Sequence, residues 1–374
     1  MPWKTESLVS LRGEFVRLAA SKEVPFRVLC RRFGISPKCG YKWLARHQAS
    51  GSDGLEDLSR KPLRSPGRTE PGIEAQVVAL RQQRPYWGAR KLQKILSKDG
   101  VSLATSTITA ILNRHGLIDR ATAPGLKRWK RFEHPLPNSL WQMDFKGFIK
   151  IPQGRVYPLT VLDDHSRFNV CLKALESQHT DGVQAALADS FRRYGIPWAM
   201  IMDNGPPWGD TWENPYTPLT VWLLRLGIKV SHSRPYHPQT MGKDERFHRT
   251  LKLEILESRP WQDLTEVQRA LDGWRPVYNL ERPHESLDYE VPASRYAPSP
   301  RTFPESLPPV EYDQGAIVRK VQNKGHFKYK GRDFSIPKAF YGLPVELRED
   351  PSKNTLKVFF QMTEIAEFML QTGL

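Results

Sequence analysis

Three acidic residues, far apart in the chain, could do metal-assisted phosphoryl chemistry if folding brought them together. Asp144 lies in Trp141-Gln142-Met143-Asp144-Phe145, Asp203 in Met202-Asp203-Asn204-Gly205, and Glu245 in the polar run that begins at His237. In-line displacement at a phosphodiester needs an activated oxygen nucleophile and a stabilised leaving oxygen. Two Mg²⁺ (or Mn²⁺) ions about 3.5–4 Å apart supply both. Mg²⁺ is hard, takes oxygen ligands and keeps several waters, so a few carboxylates suffice. The expected arrangement has Asp144 shared between two ions, with Asp203 and Glu245 on one ion each. Water or a DNA 3′-hydroxyl then serves as nucleophile, so no side-chain nucleophile is needed.

Rival acids sit nearby. Asp163 and Asp164 precede Ser166, a setting that suits a turn held by side-chain-to-backbone bonds. Asp244 adjoins Glu245 but points about 100° away around a helix. Lys243, Arg246, Arg249 and Lys252 surround Glu245 on that helix. They can hold DNA phosphates, or simply pair with Glu254 and Glu257 as surface charge. Tyr236, His237 and Gln239 precede the helix and can position a DNA strand, although His237 is equally an ordinary loop histidine.

The elements that must position these acids follow from hydrophobic period. Strands are predicted over 140–149, 156–162 and 168–172, joined by short turns as an antiparallel series. A helix over 180–194, a buried strand over 199–202, a helix over 219–226, a strand over 228–231 and a long polar helix over 242–257 complete the block. This is the element order of a ribonuclease-H-like α/β domain. Asp144 then lies on the central first strand, Asp203 at the end of the neighbouring fourth strand, and Glu245 on a helix crossing the same edge.

The rest of the chain favours a polyanionic partner. It has 374 residues, enough for two or three domains, and 56 Lys plus Arg against 40 Asp plus Glu, a net charge of +16. A basic enzyme with a solvated surface is the plain alternative. No signal peptide and no apolar run approaching ~20 residues is present, which argues against a membrane. The three cysteines, Cys30, Cys39 and Cys171, fit a reduced cytoplasmic protein rather than a disulfide framework.

Residues 1–56 read as an all-α helix-turn-helix module. Ser36 caps a third helix that carries Lys38, Tyr41, Lys42, Trp43 and Arg46, and in such modules the last helix enters the major groove. Trp43 and Leu44 are expected to pack inward, with Lys38, Lys42 and Arg46 outward. A Pro/Arg-rich linker, 57–71, holds Arg60, Lys61, Arg64 and Arg68, residues suited to a minor groove. Residues 72–120 read as a second helix-turn-helix, its last helix capped by 105–107. Thr105, Thr107 and Asn113 are placed to face DNA and Arg114 to touch phosphate; a purely structural bundle is the alternative. A basic connector, 121–137, carries Lys127, Arg128, Lys130 and Arg131. The catalytic block spans 138–297. After a linker, 298–313, short alternating runs in 314–374 read as a small C-terminal β-barrel of about five strands with a basic surface.

The three acidic blocks, with Leu162 to Arg167, Phe247 to Lys252 and Tyr278 to His284, resemble DDE-type insertion-sequence transposases of the retroviral-integrase kind. The resemblance covers roughly residues 70–297. It implies a ribonuclease-H-like core, divalent metal, double-stranded terminal-repeat and target DNA, and a homo-oligomer (dimer or tetramer) in the bacterial cytoplasm, associated with the nucleoid. The zinc-binding His/Cys module of retroviral integrases is absent, and helix-turn-helix units take its place. The interval from Asp203 to Glu245 is longer than usual in related integrases, with 206–218 read as an inserted loop. A DNA-binding regulator that has kept only its reading modules is weighed against by the intact acids. A sequence-indifferent nuclease is weighed against by the tandem modules.

Overall fold

A computed structural model describes residues 7–58, 67–118, 133–209, 216–233 and 242–370. The chain divides into two compact units, Met1–Arg68 and Thr69–Leu374. The expected DNA contacts Arg60, Lys61, Arg64, Lys127, Arg128, Lys130, Arg131, Tyr236, His237 and Gln239 lie outside the described residues.

Among its described residues the first unit has three α-helices, α1 (Leu8–Ser21), α2 (Phe26–Arg32) and α3 (Pro37–Ser50), followed by a 3-10 turn, Gly51–Leu55. Ser36 caps α3 as its sequence position suggests, its hydroxyl accepting from Cys39 N at 3.3 Å. Phe15, Val16, Leu29, Cys30, Trp43 and Leu55 form the core. The helices cross closely at Gly40, where a Cβ would stand 2.9 Å from Cys30 Sγ and from the Phe15 and Phe26 rings.

The second unit begins with α4 (Pro71–Gln83), α5 (Ala89–Lys98) and α6 (Thr105–Arg114), packed around Val77, Trp87, Leu92, Leu96, Ile108, Ile111 and Leu112. Thr105 is the first residue of α6 rather than its cap, and Ala104 takes the cap position with no side-chain bond. This bundle docks on the later part of the unit through Arg84–Glu281 at 2.7 Å and Lys94–Glu290 at 2.5 Å.

A mixed sheet follows: β1 (Trp141–Phe145), β2 (Ile149–Ile151), β3 (Gly154–Asp163), β4 (Asn169–Leu175), β5 (Ala199–Met202) and β6 (Lys229–His232). β3 pairs antiparallel with β1 and β4, and β5 pairs parallel with both β1 and β6. The helices are α7 (Thr180–Tyr194), α8 (Pro218–Arg225), α9 (Gly242–Leu251) and α10 (Leu264–Pro276). The long helix expected over 242–257 is α-helical only to Leu251 and continues as a π-helical turn, Lys252–Leu256.

The period-2 alternation of strands decides which residues meet. Trp141, Met143 and Phe145 of β1 and Leu159 and Val161 of β3 face one core with Val183, Leu187 and Phe191 of α7 and Leu219 and Leu223 of α8. Val156 and Leu162 of β3 face the other core with Phe247 and Leu251 of α9 and Leu271 and Trp274 of α10. Each fully buried side chain of this size contributes about 1.5–3 kcal/mol. Asp144 is therefore turned toward α9, directly opposite Thr160 in the β1–β3 register.

Gly195 caps α7 at φ +73°, where a Cβ would stand 2.5 Å from Ser299 O and 2.7 Å from Arg301 O. The segment that carries those carbonyls is tied here by Ser299 N to Tyr194 O at 2.7 Å and Ile196 N to Arg301 O at 2.8 Å. Gly195→Ala is expected to lower stability by about 2 kcal/mol or more, from left-handed strain plus overlap with backbone. An unchanged thermal unfolding midpoint would contradict this.

The C-terminal part differs from the expected barrel. Its strands are β7 (Ile317–Lys320), β8 (His326–Tyr329), β9 (Arg332–Ser335), β10 (Pro344–Asp350), β11 (Thr355–Phe360) and β12 (Thr363–Met369). They form an open four-stranded sheet, β12-β11-β10-β7, and a separate β8–β9 hairpin. Alternation identifies strands and their inward faces but not closure, which depends on strand tilt and shear. Here Val221 and Leu224 of α8 join the apolar cluster of Val345, Leu347, Leu356 and Val358, so the domain of β1–β6 covers a face that a barrel would close on itself.

Candidate active site

Asp144 sits on the central strand with its side chain about a third exposed. Its Oδ1 accepts from the Phe145 amide at 2.7 Å. Burial, then the neighbouring Asp203, pushes its carboxyl up to about 6, and Glu245 adds to the rise. Asp203 follows β5, which runs parallel beside β1. Asp144 thus feels the charges of two acids that are distant from it in sequence.

Asp203 is exposed, yet its orientation is fixed. Its Oδ1 accepts from Gly205 N at 3.0 Å and from the Trp208 indole N–H. Trp208 is buried and stacks on Phe145 with centroids 5.1 Å apart. The start of the supposed inserted loop therefore anchors in the core and aims an acid, a role the sequence reading does not assign to Trp208. Residues 210–215 of that loop lie outside the described residues.

The first turn of α9 departs from the expected division of labour. Asp244 is fully buried and Glu245 is exposed. Among the described residues, Asp144, Asp244 and His248 come together with one donor atom from each within 4.8 Å of the others. Asp244 Oδ2 lies 3.2 Å from His248 Nε2, and Thr160 Oγ1 reaches Asp244 Oδ1 at 3.2 Å, His248 Nε2 at 2.8 Å and Asp144 O at 3.0 Å. Burial, then Asp144, raises the Asp244 carboxyl well above the usual range. Burial, then Lys146, holds the His248 imidazole down to about 3. Both shifts run toward the neutral form. Asp244 does point around the helix from Glu245, but toward Asp144.

The donor set fits a hard divalent cation at the exposed rim. Asp144, Asp203 and Glu245 offer only oxygens, and the repulsion felt by Asp144 is what a bound cation would relieve. Asp244 lies beneath that rim, already engaged by Thr160 and His248.

The expected DNA contacts fall into different settings. Lys38, Tyr41 and Lys42 are exposed on α3, as are Asn113 near the end of α6, Arg246 and Arg249 on α9, and Arg68. Arg46 is turned back: its guanidinium lies over the Trp43 ring at 4.8 Å and donates to Glu56 O at 2.7 Å. Trp43 is buried and Leu44 half-buried. Thr105 donates to Gln93 Oε1 at 2.8 Å, Thr107 is half-buried, and Arg114 pairs with Glu74 at 3.6 Å. Lys252 pairs with Glu257 at 3.0 Å, the alternative weighed for it. Lys243 is held by Asp164, which is 1% exposed. Asp163 accepts from Ser166 N and Oγ and from Asn138 N, as a turn-forming acid should.

Comparison with known proteins agrees with this architecture. The family described as "Integrase core domain" matches residues 134–238 and, in a second form, 226–292. A "Helix-turn-helix domain" matches 11–62, a "Homeodomain-like domain" 39–112, and "IS481 family transposase, C-terminal domain" 316–373. A protein of insertion element IS476 from Xanthomonas euvesicatoria is 27% identical over 256 residues, covering 66% of this chain and 72% of that protein. The transposase of insertion sequence IS904 from Lactococcus lactis is 21% identical over 252 residues, covering 63% and 97%. A chain from the simian T-cell lymphotropic virus intasome superposes with a TM-score of 0.38 at 17% identity, covering 78% and 94% of the two chains, too loosely to bear on function. With its matches to integrase-core, helix-turn-helix and IS481-type C-terminal families, the chain is similar to insertion-sequence transposases.

Proposed function

We propose that this transposase binds the terminal repeats of its mobile element, cleaves at the element ends and joins the 3′-hydroxyls to target DNA. The observation that carries the reading is the placement of Asp144 on central strand β1, beside parallel β5 that leads into Asp203 and against α9 that bears Glu245, with both acids raising the Asp144 carboxyl. Mg²⁺ or Mn²⁺, two ions expected, would be held by these three acids and would supply an activated oxygen nucleophile and charge neutralisation at the leaving oxygen. The protein's own part is positional. The Phe145 amide and the Trp208 indole fix the carboxylates of Asp144 and Asp203. Arg246 and Arg249, exposed on α9, hold backbone phosphates beside them. Lys38, Tyr41 and Lys42 on α3 and Asn113 on α6 read or grip the repeat. A homo-oligomer, dimer or tetramer, keeps two element ends together. The domain limits 72–120, 138–297 and 314–374 stand as the working division of the second unit.

The test combines the full chain with labelled terminal-repeat DNA, target plasmid, and Mg²⁺ or Mn²⁺. Nicked and joined products that disappear with a chelator are expected. Binding without nicks or joints would make the protein a regulator. Cleavage indifferent to the repeat would make it a plain nuclease.

A further inference from the structure

Sequence position alone suggests a turn former in Asp164 and a DNA contact in Lys243. Their positions give both a different part. Asp164 follows β3 and is 1% exposed, and three chain segments converge on its carboxylate. Gln142 Nε2, on β1 two residues before Asp144, donates to Oδ1 at 2.7 Å. Lys243 Nζ, on α9 two residues before Glu245, donates to the same oxygen. The backbone N–H of His134 donates to Oδ2 at 2.8 Å. His134 stands near the end of the basic connector, where the chain enters the catalytic domain. Its neighbour Glu133 is held in turn by Arg167 Nη2 at 2.6 Å, and His165 Nδ1 lies 2.9 Å from His134 O.

A carboxylate this deep keeps its charge only if donors replace water, and removing one partner leaves an uncompensated ion. Lys243 therefore has a strong reason to stay on Asp164 and none to leave it for a solvent-exposed phosphate. The side chain of Lys243 is only 17% exposed, unlike Arg246 and Arg249 further along α9. The consequence is mechanical. The first turn of α9 is tied through Lys243 to a node that also grips the strand of Asp144, so Glu245 and Asp144 share one anchor.

We propose that Asp164 is a positioning residue for the catalytic acids: by holding Lys243 it sets the first turn of α9 against β1, and by holding His134 it ties that setting to the connector's entry point. The proposal rests on the transposase reading above, because it takes Asp144 and Glu245 as the acids being positioned. It removes Lys243 from the DNA contacts and assigns it to the geometry of the site.

The test uses the full chain and the variants Lys243→Met, Lys243→Arg and Asp164→Asn. Four quantities are read: repeat-DNA affinity with its salt slope, cleavage rate at saturating DNA, the Mg²⁺ concentration for half-maximal rate, and amide exchange over residues 242–247 without metal. Lys243→Met and Asp164→Asn are expected to slow cleavage by about 10–100-fold, the scale for losing a group that orients metal ligands. Both should raise the Mg²⁺ requirement several-fold and speed exchange in the first turn of α9. DNA affinity and salt slope stay within about twofold. Lys243→Arg restores part of the rate, and the double variant Asp164→Asn/Lys243→Met is little worse than either single one, because the two act as a pair. A weakened affinity with a salt slope reduced by about 1 and an unchanged saturated rate would make Lys243 a phosphate contact and overturn the proposal. Unchanged exchange in 242–247 would overturn it as well. An unaltered protein that neither cleaves nor joins would sink the transposase reading instead, and the exchange measurement would still decide whether Asp164 sets α9.

Discussion

Asp144→Asn is expected to bind terminal-repeat DNA within about twofold of the unaltered protein while losing at least about 10²–10³-fold in cleavage and joining, the scale on which removing one preorganised charge-stabilising group acts. The substitution keeps shape. An Asn carbonyl oxygen can still accept from the Phe145 amide that now donates to Oδ1 at 2.7 Å. It removes one negative charge from a place where Asp203 and Glu245 already push the carboxyl upward. Folding should therefore be unharmed, and the metal-free variant should unfold at the same temperature or slightly higher. What the variant loses is a charged oxygen for a divalent cation, which a neutral amide replaces poorly. In the proposed function DNA binding rests on other surfaces, Lys38 and Lys42 on α3 and Arg246 and Arg249 on α9, all exposed. A gel-shift titration beside a cleavage time course separates the two. Cleavage at the unaltered rate would remove Asp144 from the mechanism.

The catalytic scaffold was largely legible because local pattern encodes it. The alternation around Met143 and Asp144, the apolar stripe of α7 and the short run before Asp203 each specify one element, and element order then specifies the sheet. The pattern also carries a signal for α10 (Leu264–Pro276), which the sequence reading leaves out: Val267, Leu271 and Trp274 recur at helical spacing behind Asp263, which accepts from Glu266 N at 2.7 Å. Pairings between distant segments were not legible. Nothing near Lys243 in sequence indicates that Asp164 will hold it. Nothing near Arg46 indicates that it will lie back on Trp43 and donate to Glu56 O. The role of Trp208 depends on a loop turning inward so that the indole reaches Asp203. For the same reason the C-terminal strands were readable one by one, while their open arrangement against α8 was not.

The largest remaining contrast lies in two adjacent residues, Asp244 and Glu245. Glu245→Gln is expected to lose at least about 10²-fold in cleavage, like Asp144→Asn, whereas Asp244→Asn should stay within about tenfold of the unaltered rate. Proximity alone argues the other way, since Asp244, and not Glu245, clusters with Asp144 and His248 among the described residues. Access decides against proximity. A Mg²⁺ site must admit a cation that keeps several waters and a phosphate together with it. Asp244 has no exposed surface and is enclosed by Thr160 and His248, whereas Glu245 is exposed beside Arg246 and Arg249. Burial and Asp144 together favour the neutral form of Asp244, so its neutral isostere Asn changes little. Asn can still accept from Thr160, and the cost to stability should be no more than about 1 kcal/mol. Asp244→Ala is the informative contrast, because it leaves the Thr160 and His248 polar atoms without that partner and should cost about 1–3 kcal/mol. Thermal unfolding measured beside cleavage keeps the two effects apart. If Asp244→Asn were inactive and Glu245→Gln active at unaltered stability, the cation would belong to Asp144, Asp244 and His248. Loss in both would mean that the first turn of α9 supplies two carboxylates to the chemistry, one at the rim and one beneath it.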